Sequence, residues 1–88
     1  MKYFAALLIM RDSKKSQDLR TRHLEFLKQI EEEGRIFARG RFTDGAGGLV
    51  IYQAQSFEEA SKIAESDPYV TSGARTLEMH EWDIRFRQ

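Results

Sequence analysis

A segment that is apolar except for Lys2 occupies residues 2–10, near the start of the chain. A segment of this length is too short to cross a membrane as a helix, and it is typical of a strand that is buried on both faces. Arg11 and Asp12 follow it at once, without the small-residue cleavage site that a signal peptide needs. The segment therefore predicts a first β-strand in a cytoplasmic protein.

A second pattern, with apolar residues at helical spacing, runs from Gln17 to Glu33 after a polar connection at residues 11–16. Gly34 then supplies the left-handed conformation that commonly ends a helix. One face of this predicted helix carries Leu19, His23, Phe26, Leu27 and Ile30. His23 is unusual there, because it stands where a core leucine is expected and brings a titratable ring to the interior. Such a ring needs a hydrogen-bonding partner.

Two further strands are predicted at residues 35–42 and 49–54, on either side of a glycine-rich turn at residues 43–48. Three glycines in this turn permit positive φ angles, which the common hairpin turns require. A phosphate-binding loop is not predicted, because the lysine and the strand-to-helix context of such loops are missing. The segment therefore predicts a β-hairpin.

The last third of the chain predicts a short helix and a fourth strand. Ser56 and Glu59 have the spacing of a capping box, which opens a helix, and this helix stops before Pro68. After a loop at residues 67–73, residues 75–86 alternate between two faces of a strand. One face carries Thr76, Glu78, His80, Trp82, Ile84 and Phe86, and the other carries Leu77 and Met79.

The order strand, helix, strand, strand, helix, strand predicts a single ferredoxin-like α+β domain over residues 1–88. In this architecture both helices cover the same face of a four-stranded antiparallel sheet. The first strand is apolar on its second face as well, where Tyr3, Ala5, Leu7 and Ile9 lie. An apolar face of this size is larger than a monomer normally exposes. We therefore predict a homodimer in which the open faces of two sheets pack together.

Composition narrows the classes of partner. The 14 basic and 14 acidic side chains cancel, which leaves no electrostatic footprint for nucleic acid or for an anionic membrane surface. The chain has no cysteine, so disulfides, a thiolate nucleophile and thiolate metal ligands are excluded. A hydrophobic fraction of 41% and a charged fraction of 32% fit a globular domain. A small molecule and a second copy of the chain are the expected partners.

Asp67, which precedes Pro68, is the best candidate partner for His23. An aspartate that accepts a hydrogen bond from one ring nitrogen leaves the other nitrogen free to exchange protons with a substrate. The same bond is also consistent with a structural role, in which it ties a helix to a loop. Asp67 can in addition cap the turn before Tyr69. The sequence leaves both the catalytic and the structural role open.

Other candidate binding residues are Tyr69, which can place a hydroxyl at a pocket mouth or be an ordinary half-buried aromatic, and several arginines. Arginine holds a carboxylate or phosphate by paired hydrogen bonds. The candidates are Arg22, Arg39, Arg41 and Arg75. A metal site built from His23, Asp67 and His80 is not favoured, because no close ligand spacing supports it. The serines lack a nucleophile signature, so covalent hydrolysis is not indicated.

Several short segments follow one another in a distinctive order. They are Arg22-His23-Leu24, Glu33-Gly34-Arg35, Gly40, the glycine turn, Ser56-Phe57-Glu58-Glu59-Ala60, and Asp67-Pro68-Tyr69-Val70 followed by Gly73. In this order they resemble the YciI-like family of small dimeric α+β barrel proteins. The most specific part of the resemblance is the histidine combined with the Asp-Pro-aromatic segment. In that family a proline often follows the glycine of the second strand, where this chain has Arg41.

The resemblance implies an active site formed by His23 and Asp67 in a cleft between the helices and the sheet. Relatives of this fold include small-molecule isomerases, dehalogenating enzymes and monooxygenases, so the fold alone does not choose a reaction. We expect acid–base chemistry on a small anionic molecule, of isomerase, lyase or dehalogenase type, without a cofactor or metal. The residues expected to bind that molecule are Arg22, Arg41, Tyr69 and Arg75. The alternatives are a non-catalytic ligand-binding module and a purely structural homodimer.

Overall fold

The computed structural model describes residues 1–87 and contains one four-stranded antiparallel sheet with the strand order β2-β3-β1-β4. The elements are β1 (Lys2–Met10), α1 (Ser13–Asp18), α2 (Arg20–Glu32), β2 (Ile36–Arg41), β3 (Gly47–Ala54), α3 (Phe57–Glu65), α4 (Pro68–Thr71) and β4 (Arg75–Trp82). This order and topology are those of a ferredoxin-like fold, as the sequence pattern predicts.

The sheet has one face inside the core and one face outside it. Residues directly opposite each other in neighbouring strands lie on the same face, and Ala6 stands opposite Val50 of β3 and Met79 of β4. Ala6 and Val50 belong to the hydrophobic core, which also takes in Leu27 of α2 and the small residues of α3. The helices therefore cover the face that carries Ala6, and α2 lies close enough to place side chains against the middle of the sheet.

The first helical region starts earlier than its hydrophobic pattern predicts, so the polar connection expected at residues 11–16 is largely wrong. Asp12 caps α1 by accepting a hydrogen bond from the backbone N–H of Lys15. A polar side chain that satisfies an orphan N–H is sufficient to begin a helix without an apolar face. Leu19, with φ −100° and ψ 5°, then separates α1 from α2. None of the helices within residues 1–87 is both long and apolar enough to span a membrane.

The segment predicted as a loop at residues 67–73 contains the one-turn helix α4. Pro68 occupies its first turn, where the missing N–H costs nothing, and Asp67 is its N-cap. The Asp67 carboxylate accepts a hydrogen bond from the backbone N–H of Tyr69 at 2.9 Å. This local structure fixes the aspartate side chain before any contact with the rest of the molecule is considered.

The glycine-rich turn forms the predicted hairpin, but β3 begins at Gly47, two residues earlier than expected. Gly47 has φ 135°, and a Cβ built on it would lie only 1.9 Å from the carbonyl oxygen of Leu8. A side chain at this position is therefore excluded both by backbone conformation and by the close approach of β1. The glycine lets the hairpin pair directly with the central strand.

The end of the fourth strand differs from the prediction, because β4 stops at Trp82 and does not continue to Phe86. Phe86 instead packs edge-on against Tyr3 and Phe37, with ring centroids 5.9 Å and 5.6 Å away. Tyr3 and Phe37 are themselves in edge contact at 5.2 Å. Tyr3 alternates with the core residues Phe4 and Ala6 along β1, so this aromatic cluster lies on the face of the sheet opposite the helices.

Candidate active site

Asp67 is fully buried, and one of its oxygens, Oδ1, joins two elements of the fold. Oδ1 lies 2.8 Å from Nδ1 of His23 and also accepts the N–H of Tyr69. An ionised carboxylate can only accept hydrogen bonds, so Nδ1 of His23 carries the proton and donates it. The other oxygen, Oδ2, is buried and has no hydrogen-bond partner within residues 1–87. The predicted pairing of His23 with Asp67 is thus present as a buried hydrogen bond.

His23 lines a cavity, and its second ring nitrogen, Nε2, is not sealed from solvent. The side chain is 10% exposed and lines an opening beside α2. Nε2 has no hydrogen-bond partner within residues 1–87. It differs from Asp67 Oδ2, which is the one side-chain atom in the described residues that is both unpartnered and sealed from solvent. With Nδ1 fixed by Asp67, Nε2 is the atom through which this imidazole can accept or donate a proton.

Tyr69 forms the middle of a stack of three side chains. Its ring lies 3.9 Å from the His23 ring, centroid to centroid, with 16° between the planes. The guanidinium carbon of Arg75 lies 4.2 Å from the centroid of the Tyr69 ring. Two groups at these distances cannot share one face of the ring, so His23 and Arg75 flank Tyr69 on opposite faces. The stack restricts the orientation of the imidazole and holds the guanidinium by a cation–π contact.

The cavity beside His23 has a volume of about 200 Å³ and lies between α2 and the β1–β3 part of the sheet. Its apolar wall includes Leu8, Leu27 and Val50. An apolar cavity of ~150 Å³ is enough to hold one benzene ring. The space therefore suits a single six-membered ring or a molecule of similar size.

Four arginines line this cavity: Arg20, Arg39, Arg41 and Arg75. Two of the predicted binding residues, Arg41 and Arg75, are thus brought to it together with Tyr69. Arg22, also predicted, is exposed on α2 and does not line the cavity. Sequence reasoning chose Arg22 and missed Arg20, although Arg20 lies three residues before His23 and so shares its side of the helix.

The four arginines differ in whether an acidic side chain pairs with the guanidinium. Arg39 donates two hydrogen bonds to the carboxylate of Glu31, at 3.0 Å and 3.1 Å. This hydrogen bonding holds the pKa of Glu31 below its usual range. Glu31, near the end of α2, is therefore a partner of Arg39. No such carboxylate partner is found within residues 1–87 for Arg20, Arg41 or Arg75.

Tyr52 on β3 has a buried hydroxyl inside the core, near Asp67. Its side chain is 1% exposed, and burial raises the pKa of its hydroxyl, with the nearby Asp67 carboxylate adding to the rise. A negative charge at Asp67 disfavours a second one at the tyrosine. Tyr52 was not singled out from the sequence, where it reads as an ordinary strand residue.

His80 lies far from the His23 pair in the fold. It stands opposite Ala5 of β1, on the sheet face that the helices do not cover, and its Nε2 is 3.1 Å from the carboxylate of Glu78. The alternative metal site from His23, Asp67 and His80 is therefore not assembled. No cluster of three His, Asp or Glu side chains able to hold a metal ion occurs in the described part of the chain.

Comparison with known proteins shows which family the chain belongs to. Residues 1–83 match the model of the YCII-related domain. The uncharacterised protein YjpA of Bacillus subtilis (strain 168) is 37% identical over 83 residues, which cover 94% of this chain and 98% of YjpA.

A solved structure shows the same fold. It is 5-chloro-2-hydroxyhydroquinone dehydrochlorinase (TftG) from Burkholderia phenoliruptrix AC1100, in complex with 2,5-dihydroxybenzoquinone. The TM-score is 0.76 at 20% sequence identity, and the match covers 92% of this chain and 93% of the other. Because the family model matches residues 1–83 of the 88 residues, the chain belongs to the YCII-related family.

Proposed function

We propose that this protein catalyses a proton-transfer reaction on a small anionic organic molecule, with His23 as the general acid or base and Asp67 as its orienting partner. The observation that carries the proposal is the 2.8 Å bond between Nδ1 and Asp67 in a histidine that lines a cavity, which leaves Nε2 as the ring nitrogen available to a ligand. A positioned acid–base group of this kind accelerates reactions by roughly 10²- to 10⁴-fold.

The buried carboxylate supports protonation of the imidazole during the reaction. When Nε2 takes a proton from the substrate, the ring becomes positively charged beside Asp67, whose Oδ1 accepts bonds from the ring and from one backbone N–H. Since Oδ2 lacks a donor among residues 1–87, the carboxylate charge is compensated mainly by these two bonds. A charged partner in a low-dielectric site is stabilised more strongly than a neutral one.

The proposed chemistry is an isomerisation or an elimination. In an isomerisation, Nε2 removes a proton from one atom of the substrate and returns it to another. In an elimination of hydrogen chloride, the proton moves to Nε2, the electron pair shifts within the substrate, and the carbon–chlorine bond breaks to release chloride. Neither reaction changes the number of electrons overall, so neither requires a redox cofactor. The dehydrochlorinase with the same fold supplies a chemical precedent for the second.

The alternative is a non-catalytic module that binds a small molecule in the same cavity. The open cavity beside His23 favours both the enzyme and the binding module over a purely structural role for the pair, because a structural pair needs no accessible nitrogen. Enzyme and binding module differ in what His23 is required for: turnover in the first case and affinity in the second.

The test is an assay of chloride release from 5-chloro-2-hydroxyhydroquinone, combined with binding of 2,5-dihydroxybenzoquinone, for the wild type, His23→Asn and His80→Asn. We expect His23→Asn to lower kcat at least about 100-fold while it retains the fold, and His80→Asn to behave as the wild type. Binding without chloride release in the wild type and His80→Asn, with affinity lost in His23→Asn, would favour the binding module.

We also propose that the protein forms a homodimer through the sheet face opposite the helices. This face carries the Tyr3, Phe37 and Phe86 cluster, and Phe37 and Trp82 are 45% and 43% exposed. Exposed aromatic side chains on one surface are typical of an interface. We expect sedimentation equilibrium to give a dimer for the wild type and a monomer for Trp82→Asp. A wild type that stays monomeric at high micromolar concentration would contradict this proposal.

A further inference from the structure

A second cavity adjoins the one beside His23. It has a volume of about 180 Å³, and the two cavities share four lining residues: Arg20, Arg41, Tyr69 and Arg75. Ser16, Phe42 and the turn glycines Gly45 and Gly47 complete the second cavity, together with Met10 and Gln17. The shared residues form a junction between the two spaces, and three of the four are cationic.

Neither cavity contains an acidic residue among its lining side chains. The fourth arginine of the first cavity, Arg39, is paired with Glu31 and so contributes little net charge. The chain as a whole has a net charge of zero, so this local excess of positive charge is a property of the junction and not of the composition. A concave site lined by one sign of charge concentrates ligands of the opposite sign.

Arg75 is held in place before any ligand binds. Its Nε donates to the hydroxyl of Ser16 at 3.3 Å, and Ser16 is only 3% exposed. Its guanidinium lies on the Tyr69 ring, and Nη1 is close enough to β3 to lie 3.5 Å from a Cβ built on Gly48. The two terminal amino groups of the guanidinium have no carboxylate partner within residues 1–87. A fixed guanidinium with unpaired donors matches the geometry of a carboxylate.

We propose that the junction of Arg20, Arg41 and Arg75 binds the carboxylate of a substrate whose six-membered ring occupies the cavity beside His23. This inference rests on the proposed function, since it assigns the parts of one substrate to the two cavities. The first cavity has the volume and the apolar wall for a ring, and the second has room for the arm that carries the charge. The substrate class is therefore a cyclic or aromatic carboxylic acid.

The stack also separates the carboxylate from the reacting atom. Because the Tyr69 ring lies between His23 and Arg75, the guanidinium and the imidazole are two ring-stacking distances apart. A carboxylate bound by Arg75 therefore cannot lie directly against Nε2 of His23. The carbon or oxygen that exchanges a proton with His23 is expected on the ring, a few bonds from the carboxylate, which then serves to hold the substrate and does not react.

The test compares two probes of the same shape, phenylacetate and the neutral phenylacetamide, by titration followed in two-dimensional NMR. We expect the wild type to bind phenylacetate at least about tenfold more tightly, because charge-assisted hydrogen bonds to arginine are lost in the amide. The amide signals of Gly45, Gly47 and Tyr69 are expected to shift with phenylacetate. Arg75→Gln is expected to abolish the preference for the acid.

Two arginines on the same helix provide a matched control. Arg20→Gln is expected to weaken phenylacetate binding severalfold, whereas Arg22→Gln, two residues away and outside both cavities, is expected to leave it unchanged. Arg41→Gln, at an exposed strand position, repeats the test of Arg75→Gln at a site where folding is not at risk. Equal binding of phenylacetate and phenylacetamide by the wild type would overturn the inference. An undiminished preference for phenylacetate in both Arg75→Gln and Arg41→Gln would also overturn it.

His23→Asn separates this inference from the proposed function. The variant is expected to keep the preference for phenylacetate over phenylacetamide, because the carboxylate is bound by the arginines and not by the imidazole. Arginine-dependent binding in a protein without turnover would leave the carboxylate site standing and count against the enzyme. Turnover that depends on His23 but not on Arg20, Arg41 or Arg75 would support the enzyme and count against the carboxylate site.

Discussion

Two histidine–carboxylate pairs occur in this small protein, and they differ in the sequence separation of the partners and in their exposure to solvent. His23 and Asp67 are 44 residues apart in sequence, lie 2.8 Å apart and have side chains that are 10% and 0% exposed. His80 and Glu78 are two residues apart on one strand, lie 3.1 Å apart and are 61% and 54% exposed. The first pair joins a helix to a capped turn beside a cavity, and the second lies in solvent on the open sheet face.

The difference shows that the surroundings, and not the pairing alone, decide how firmly the imidazole is held. Water competes for both partners of an exposed pair, so such a pair contributes about 1 kcal/mol or less and restricts neither ring. A buried pair fixes the ring orientation and the proton position, because each polar group depends on the other for its hydrogen bond. Only the His23 ring therefore has a fixed orientation and a defined position for its proton.

The largest expected effect on stability comes from removing the carboxylate of the buried pair, and the same change in the exposed pair is its control. Asp67→Ala removes the partner of His23 and the N-cap of α4, and we expect it to lower the free energy of unfolding by about 2–4 kcal/mol. Glu78→Ala, its counterpart on the open face, is expected to change it by about 0.5 kcal/mol or less. Urea denaturation at pH 7 and fixed protein concentration measures both. A similar loss in the two variants would remove the distinction between the pairs.

A smaller effect on stability is expected at alkaline pH from Tyr52, which is buried near Asp67. Its pKa is raised in the folded state by burial and by Asp67, so the unfolded chain ionises first as the pH increases. The stability associated with Tyr52 is complete below the ordinary tyrosine pKa of 10.0 and is lost above it. We expect roughly 1 kcal/mol less stability at pH 11 than at pH 10 from this residue.

Tyr52→Phe is the variant that isolates this loss. Its stability is expected to fall less steeply above pH 10 than that of the wild type, with denaturation curves recorded at each pH. Lysines and the other tyrosines titrate equally in both proteins, so the difference between the two slopes belongs to Tyr52. Parallel curves would show that the buried hydroxyl does not sense its surroundings as described.

The smallest effect belongs to the exposed Glu31–Arg39 pair, which resembles the His80 pair in its access to water. Arg39 lowers the pKa of Glu31, so the stabilisation is present above the ordinary carboxyl pKa and is lost as the pH falls through the lowered value. We expect Glu31→Gln to flatten this acid dependence slightly and to change the midpoint at pH 7 far less than Asp67→Ala does. High salt should erase the difference between the wild type and Glu31→Gln.

The fold was largely predictable because its hydrophobic periodicity is strong. The two-sided apolar pattern of β1 and the helical spacing around His23 gave the correct order of elements and the sheet topology. The misses concern local polar chemistry. Asp12 and Asp67 each begin a helix by capping an N–H, and the hydrophobic pattern carries no trace of α1 or α4.

The site was predictable in its central pair and less so in its charged wall. His23 and Asp67 were identifiable because a histidine on a core face needs a partner and an Asp-Pro turn offers one. Arg20 was missed although it lies three residues before His23 within the predicted helix, so helical spacing alone was enough to place it on the His23 side. The pairing of Arg39 with Glu31 joins a helix end to a strand, and it follows only from the tertiary structure.

The most direct test of the central claim is the tautomer of the two histidine rings, read from ¹⁵N–¹H correlations at a pH where both rings are neutral. The account predicts that His23 is protonated at Nδ1, which donates to Asp67, and bare at Nε2, the nitrogen available to a ligand. The exposed His80, whose Nε2 lies beside Glu78, serves as the internal comparison and is expected to favour a proton at Nε2. A His23 ring protonated at Nε2 and bare at Nδ1 would contradict the account.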